Sequence, residues 1–183
     1  LNFDEIAIDY VGDVSDYNCA PITSAAVAGV LSSTLPDINM VSAPTIARDK
    51  GIAITETKKD EHSAYESYIR INLVSKKEKF SIGGTIFSDG QPRIVQINGI
   101  NLEAGLMPNM LYVTNKDVPG LIGSLGNILG DEKINIASFN LGRTGPLKDA
   151  IALIGVDKAV NDNVIKEVEK LDSVVQVKSL NFN

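Results

Sequence analysis

Across 183 residues, 17 Lys and Arg stand against 23 Asp and Glu, a formal charge of −6, and no basic patch interrupts the acidic balance. That balance argues against nucleic acid as a partner. One cysteine and one histidine cannot build a disulfide framework or a zinc site within one chain, so no metal is expected.

With 44% hydrophobic and 22% charged residues, the composition is that of a globular protein with room for two small domains, each with its own core. No apolar run approaches the ~20 residues of a membrane helix, and Leu1 to Glu5 lacks a basic signal region. The expected setting is a reducing cytoplasm, away from membranes. The chain starts at Leu1 rather than methionine and runs almost at once into a strand, the pattern of a piece of something longer.

Ile6, Ile8 and Tyr10 alternate with Ala7, Asp9 and Val11, which predicts a first strand ending at Gly12-Asp13. Small apolar residues from Pro21 to Leu35, among them Ala25, Ala26, Ala28 and Gly29, predict a helix that packs closely on a neighbour. A short helix from Pro44 to Lys50 follows, with Gly51 placed to end it in the left-handed conformation. Ile52 opens a strand. The charged run Glu56 to Glu66 reads as a solvated loop or hairpin tip holding His62, which has no positioned partner for acid–base work. Asp9 with Asp13, and Asp60 with Glu61, read as solvated surface.

Three strands are expected next: Tyr68–Ser75, Phe80–Phe87 and Pro92–Ile97. They make the first half an antiparallel α+β meander. Gly83-Gly84, in mid-strand, marks a bulge or a close backbone approach. Asn98-Gly99 is a tight-turn signal, after which Ile100 to Pro108 reads as the connection between halves.

The second half reads as strand, helix, strand, strand, helix, strand, the ferredoxin-like βαββαβ order. Its first helix carries Leu121, Ile122, Leu125, Ile128 and Leu129 on one face and stops at Gly130-Asp131. Gly123, Gly126 and Gly130 lie inside that helix, so they are close-packing positions and not a dinucleotide-binding turn. A Gly145-Pro146 hairpin precedes Ala150 to Val156, Asn161 caps the last helix, and Val174 to Leu180 is the last strand.

The candidate site is Asn115-Lys116-Asp117-Val118-Pro119-Gly120-Leu121, where a strand turns into a helix. Pro119 suits the first helical position, and Gly120 permits close approach of a ligand to the backbone. Free amides and the positive dipole end of the helix suit a carboxylate, Asp117 suits an ammonium, and Asn115 hydrogen-bonds either end. These are the parts of a site for a free α-amino acid. Cys19 stands at a helix start as either a buried apolar residue or a thiol of lowered pKa. No pair of residues has a spacing that a recognised catalytic mechanism requires.

The loop at Asn115–Leu121, with Lys133-Ile134-Asn135-Ile136-Ala137 and Leu141-Gly142-Arg143, resembles the ACT domain. The whole chain resembles the C-terminal regulatory part of the long-form D-3-phosphoglycerate dehydrogenases. Ala43-Pro44, Lys50-Gly51-Ile52, Gly84-Thr85-Ile86-Phe87 and Pro92 to Gly99 match the allosteric substrate-binding domain that precedes the ACT domain there. The resemblance implies residues 1–106 as that domain, short of its first strand and helix, and 107–183 as the ACT domain.

It also implies a feedback site for L-serine, or a related small amino acid, between two ACT domains. Its residues are Asn115, Asp117, Pro119, Gly120, Leu121 and a partner's Asn135; relatives often carry an aromatic residue or histidine at the position of Asn115. Arg93 matches one of the basic residues with which some relatives bind a phosphorylated substrate, while Ile100 and Gly105 replace the others. By the same resemblance the parent is an NAD-dependent oxidoreductase of serine biosynthesis, a homodimer through its ACT domains or a tetramer. This chain itself is non-catalytic and without cofactor. The alternatives are the ACT-bearing chain of an iron–sulfur L-serine dehydratase, against which a single cysteine argues, and a free-standing amino-acid sensor.

Overall fold

A computed structural model describes residues 3–60, 64–145 and 148–182. His62, Glu61 and Pro146 lie outside these. The chain divides into two compact units, Leu1–Pro92 and Arg93–Asn183.

In the first unit, strand β1 (Glu5–Gly12) leads through a 3-10 turn (Asp13–Asp16) into helix α1 (Ala20–Ser32); helix α2 (Ala43–Asp49) and strands β2 (Ala53–Lys59), β3 (Ser67–Val74) and β4 (Lys79–Ile86) follow. β1 lies between β2 and β3, parallel to the first and antiparallel to the second, and β4 pairs antiparallel with β3. The α+β class holds, with one parallel pair beside the antiparallel ones. Alternation along β1 buries Ile6, Ile8 and Tyr10 completely, against Val27 and Leu31 of α1 and Ala43 and Ala47 of α2.

The packing stripe of α1 is Thr23, Val27 and Leu31, four residues apart and so on one face. Ala25 and Gly29, expected at a close approach, are exposed instead. Helix α2 ends as expected: Gly51 has φ 75°, its N–H donates to the Arg48 carbonyl at 2.9 Å, and that of Ile52 donates to the Ala47 carbonyl at 2.9 Å. That pair of bonds is the Schellman motif.

Strand β2 runs through Lys59, so Glu56 to Lys59 are strand and not the expected loop. Two of their charges have partners: Glu56 accepts from the Thr23 hydroxyl, and Lys58 Nζ donates to the carbonyls of Ser15 and Tyr17 at 2.9 and 2.8 Å. Asp9 is likewise no solvated carboxylate. It accepts from Asn72 Nδ2 at 3.1 Å and faces Arg70 Nη1 at 3.8 Å.

On its β3 side Gly83 sits in an unbroken ladder, opposite Arg70; a Cβ there would stand 2.6 Å from Tyr68 Cζ. It is the side chain of Tyr68 that requires the glycine. Cys19 is the buried residue of its two readings, 2% exposed, its Sγ directed at the carbonyls of Val14 (3.3 Å) and Tyr17 (3.4 Å).

The second unit holds β5 (Pro92–Ile97), β6 (Ile100–Gly105), β7 (Asn109–Lys116), helix α3 (Leu121–Asp131), β8 (Ile136–Arg143), β9 (Asp149–Val156), helix α4 (Asp162–Glu169) and β10 (Val174–Asn181). The expected connector at Ile100 is thus strand β6, turned back on β5 by Asn98 (φ 48°) and Gly99 (φ 79°). Both central residues take the positive φ that the two-residue I′ turn requires.

From β7 onward the fold is ferredoxin-like: an antiparallel sheet ordered β10-β7-β9-β8 with α3 and α4. Leu111, Val113, Ala152, Ile154 and Val177 of the sheet pack with Leu121, Leu125 and Leu129 of α3 and Val164 and Val168 of α4. Ile122, expected on the apolar face of α3, is 56% exposed. Gly123, Gly126 and Gly130 have nothing within 4 Å of where a Cβ would stand, so they mark no close packing within the chain. α3 ends at Asp131 as expected, and the left-handed residue beyond it is Lys133, at φ 54°. Bonds from Lys133 N–H to Gly130 and from Ile134 N–H to Leu129 close it. Asn161 caps α4 as expected, accepting from the amides of Asn163 and Val164 at 3.0 and 3.1 Å.

Candidate functional site

The turn from β7 into α3 is held by its backbone. Lys116 N–H donates to the Ser173 carbonyl at 2.8 Å, Asp117 N–H to that of Lys148 at 2.8 Å, and Val118 N–H to that of Lys116 at 2.9 Å. Gly120 is the residue before the helix, at φ 101°, and α3 begins at Leu121. Pro119 therefore lies in the turn, two residues before the helix it was expected to open. The left-handed φ of Gly120 breaks the helical path at that point, and only glycine adopts it without strain. No side chain caps the α3 N-terminus.

Asn115, Asp117, Pro119, Gly120 and Leu121 are thus gathered on one turn. Asn115 is 2% exposed; its Nδ2 donates to the Lys116 carbonyl at 2.8 Å, and its Oδ1 has no partner. An orphaned buried acceptor costs about 1–3 kcal/mol, a cost that a ligand donor would relieve. The Asp117 carboxylate is mostly shielded, 16% exposed, and lies 3.4 Å from Arg143 Nη1. Arg143, at the end of β8, belonged to a motif in the sequence but gave no sign of this pairing. Lys116 pairs with Asp149 at the start of β9, so the β8–β9 hairpin grips the turn at three points.

Asn135 is elsewhere. It follows the C-terminus of α3, its N–H donating to Asp157 Oδ1 at 3.1 Å. An 11-residue helix spans about 16 Å, so one chain does not bring Asn135 to Asp117. Arg93 stands in β5 opposite Gly105 of β6, its Cδ and Nε 3.9 Å from where a Gly105 Cβ would be. Ile100, the next position of that motif, is buried.

In the first unit a cavity of about 350 Å³ opens among Val14, Tyr17, Ile22, Glu66, Thr85 and Ile86. It contains none of the predicted site residues. Nearby, the buried hydroxyl of Tyr10 lies 2.7 Å from Thr23 Oγ1. Burial raises its pKa, opposed by the Thr23 bond and assisted by the charges of Glu56 and Cys19. Among the described residues no group of three His, Cys, Asp or Glu is placed to hold a metal, and no helix is long and apolar enough to cross a membrane.

Comparison with known proteins agrees with this architecture. Residues 2–98 match the D-3-phosphoglycerate dehydrogenase intervening domain, and residues 109–173 match the ACT domain. The chain is 30% identical over 179 residues to the D-3-phosphoglycerate dehydrogenase of Bacillus subtilis, covering 97% of this chain and 34% of that protein. It is 30% identical over 173 residues to that of Synechocystis (93% and 31%) and 32% identical over 180 residues to that of Methanocaldococcus jannaschii (97% and 34%). The chain spans about a third of the length of these relatives. It belongs to the D-3-phosphoglycerate dehydrogenase intervening domain family and carries an ACT domain after that domain.

Proposed function

We propose that this chain is the regulatory part of a D-3-phosphoglycerate dehydrogenase, and that its ACT domain binds L-serine at the β7–α3 turn. The observation that carries the reading is the coincidence, on one turn, of an uncapped helix N-terminus, a shielded Asp117 carboxylate and the orphaned Asn115 Oδ1. The helix end suits the ligand's carboxylate, Asp117 its ammonium, and Asn115 a donor from its hydroxyl or ammonium.

The partner's Asn135 completes this site. β8 is an edge strand, and two copies paired antiparallel along β8 by a two-fold axis would set the Asn135 end of one against the Arg143 end of the other. Ligand binding then favours one quaternary arrangement, and the coupling to a distant active site is bounded by the ligand's differential affinity for the two.

The functional partition is residues 1–106 and 107–183, with Arg93 as an anion contact in the first. The parent enzyme oxidises 3-phosphoglycerate with NAD in the cytoplasm, as a homodimer or tetramer, and this chain holds none of the reacting groups. Titration calorimetry with L-serine, with glycine and L-alanine as controls and light scattering for assembly, tests the site. Saturable heat near one site per chain supports it. A folded dimer that gives no heat with any of the three refutes it.

A further inference from the structure

We propose that Arg143 receives the ligand's carboxylate, so that Asp117 and Arg143 together read both charges of a free α-amino acid. The proposal rests on the amino-acid reading of the β7–α3 turn and adds to it a residue that the turn itself does not contain.

The argument is one of charge. A helix N-terminus offers roughly half a positive charge, whereas Asp117 places a full negative one on the same turn. Without a further cation the local field repels a carboxylate, and the chain's net charge of −6 adds to that repulsion. Lys116 does not supply the cation, because it is paired with Asp149. Arg143 does, and it turns the balance at the turn from negative to positive.

Geometry agrees. Arg143 is fixed in register opposite Ala150 of β9, and its hairpin is tied to the turn through the Lys148 carbonyl and Asp149. The guanidinium makes a single long contact with Asp117, 3.4 Å, and its side chain is 62% exposed. Arginine has five donors in a planar fork that suits a carboxylate, so most of the fork here still faces solvent. The ammonium and carboxylate of an α-amino acid are separated by one carbon, a spacing comparable with that of Asp117 and Arg143. Set against the pair in opposite sense, the ligand closes a ring of four alternating charges.

The test is calorimetry of the full chain and its Arg143→Gln and Asp117→Asn variants with L-serine and with L-serinamide, which keeps the ammonium and hydroxyl but lacks the carboxylate. Circular dichroism serves as the control for folding. A charge-assisted contact is worth roughly tenfold or more in affinity. The parent chain is expected to prefer serine to serinamide by at least about that factor. Arg143→Gln should weaken serine accordingly while leaving serinamide unchanged or tighter, and Asp117→Asn should weaken both.

Undiminished serine affinity in Arg143→Gln, or equal loss of both ligands, overturns the role of Arg143. If Asp117→Asn still loses binding in that case, the site itself stands. A parent chain that binds neither ligand overturns the site and Arg143 together.

Discussion

Gly142 of β8 lies directly against the backbone of Asn101 in β6: a Cβ on Gly142 would stand 2.5 Å from the Asn101 carbonyl oxygen and 3.1 Å from Leu102 Cβ. The β5–β6 hairpin is thereby seated on the face of the ACT sheet opposite its helices. Neither obstructing atom is the end of a flexible side chain, so Gly142→Ala must push the hairpin and β8 apart. A loss of about 1–3 kcal/mol is expected in urea unfolding, and wild-type stability would show that β6 and β8 yield freely to the added methyl group.

Asp117→Ala is expected to leave the fold intact. Its partner Arg143 is largely exposed, and exposed ion pairs contribute about 0–1 kcal/mol. Serine affinity should fall by tenfold or more, so calorimetry and thermal unfolding separate the two effects. A large fall in melting temperature would assign Asp117 to the architecture of the turn.

Gly126 lies inside α3 with open space where a Cβ would go. Gly126→Ala should therefore stabilise the chain by roughly 0.5–1 kcal/mol, by removing freedom from the unfolded state. Chemical denaturation reads this directly, and a destabilised variant would mean that the exposed side of α3 is used by a partner.

Removing the cap with Asn161→Ala should cost about 1 kcal/mol, because the side chain serves two amides of α4. Asn161→Asp retains the acceptor and should recover most of the loss, whereas equal losses would contradict a capping role.

The buried hydroxyl of Tyr10 makes stability depend on alkaline pH. Its pKa is raised chiefly by burial, as is that of Tyr112, so the folded state holds these protons more tightly than the unfolded chain. The resulting contribution is complete below about pH 10, the ordinary phenol value, and is lost as pH rises through the folded values. Stability followed by urea midpoints should thus decline above about pH 10, and less steeply in Tyr10→Phe. Parallel curves for the two proteins would remove Tyr10 from the account.

Where a requirement was local, the sequence displayed it. Asn98-Gly99 announced its turn because two consecutive positive φ values need those residue types. Gly51 and Asn161 marked their helix ends for equally local reasons, and the ferredoxin-like order of the second half followed from the alternation of Ala137, Phe139 and Leu141, the apolar run Ala150 to Val156 and the helical spacing between the strands.

Partners distant in sequence were hidden. Glu56 to Lys59 read as loop because nothing nearby shows that Thr23 and the Ser15 and Tyr17 carbonyls await those charges. Pro119 misplaced the start of α3 because the φ of Gly120 is set by the turn and not by the proline. In the candidate site, the turn residues were legible as a group. Arg143, 26 positions beyond Asp117, was not, because only the β8–β9 hairpin brings it back.

One consequence of the arrangement of β1 concerns the order of folding. Glu5 pairs with Ala53 on one side and with Val74 on the other, so the strand at the heart of the first unit finds neither neighbour locally. Loop closure must precede both pairings. Until β2 exists, Ile6, Ile8 and Tyr10 have no sheet to join, and a nascent chain holds its most deeply buried strand unpaired through more than half of the synthesis of that unit. Whatever shields those three side chains during that interval governs the yield of folded protein, and a slow step placed before β2 would lengthen the exposure.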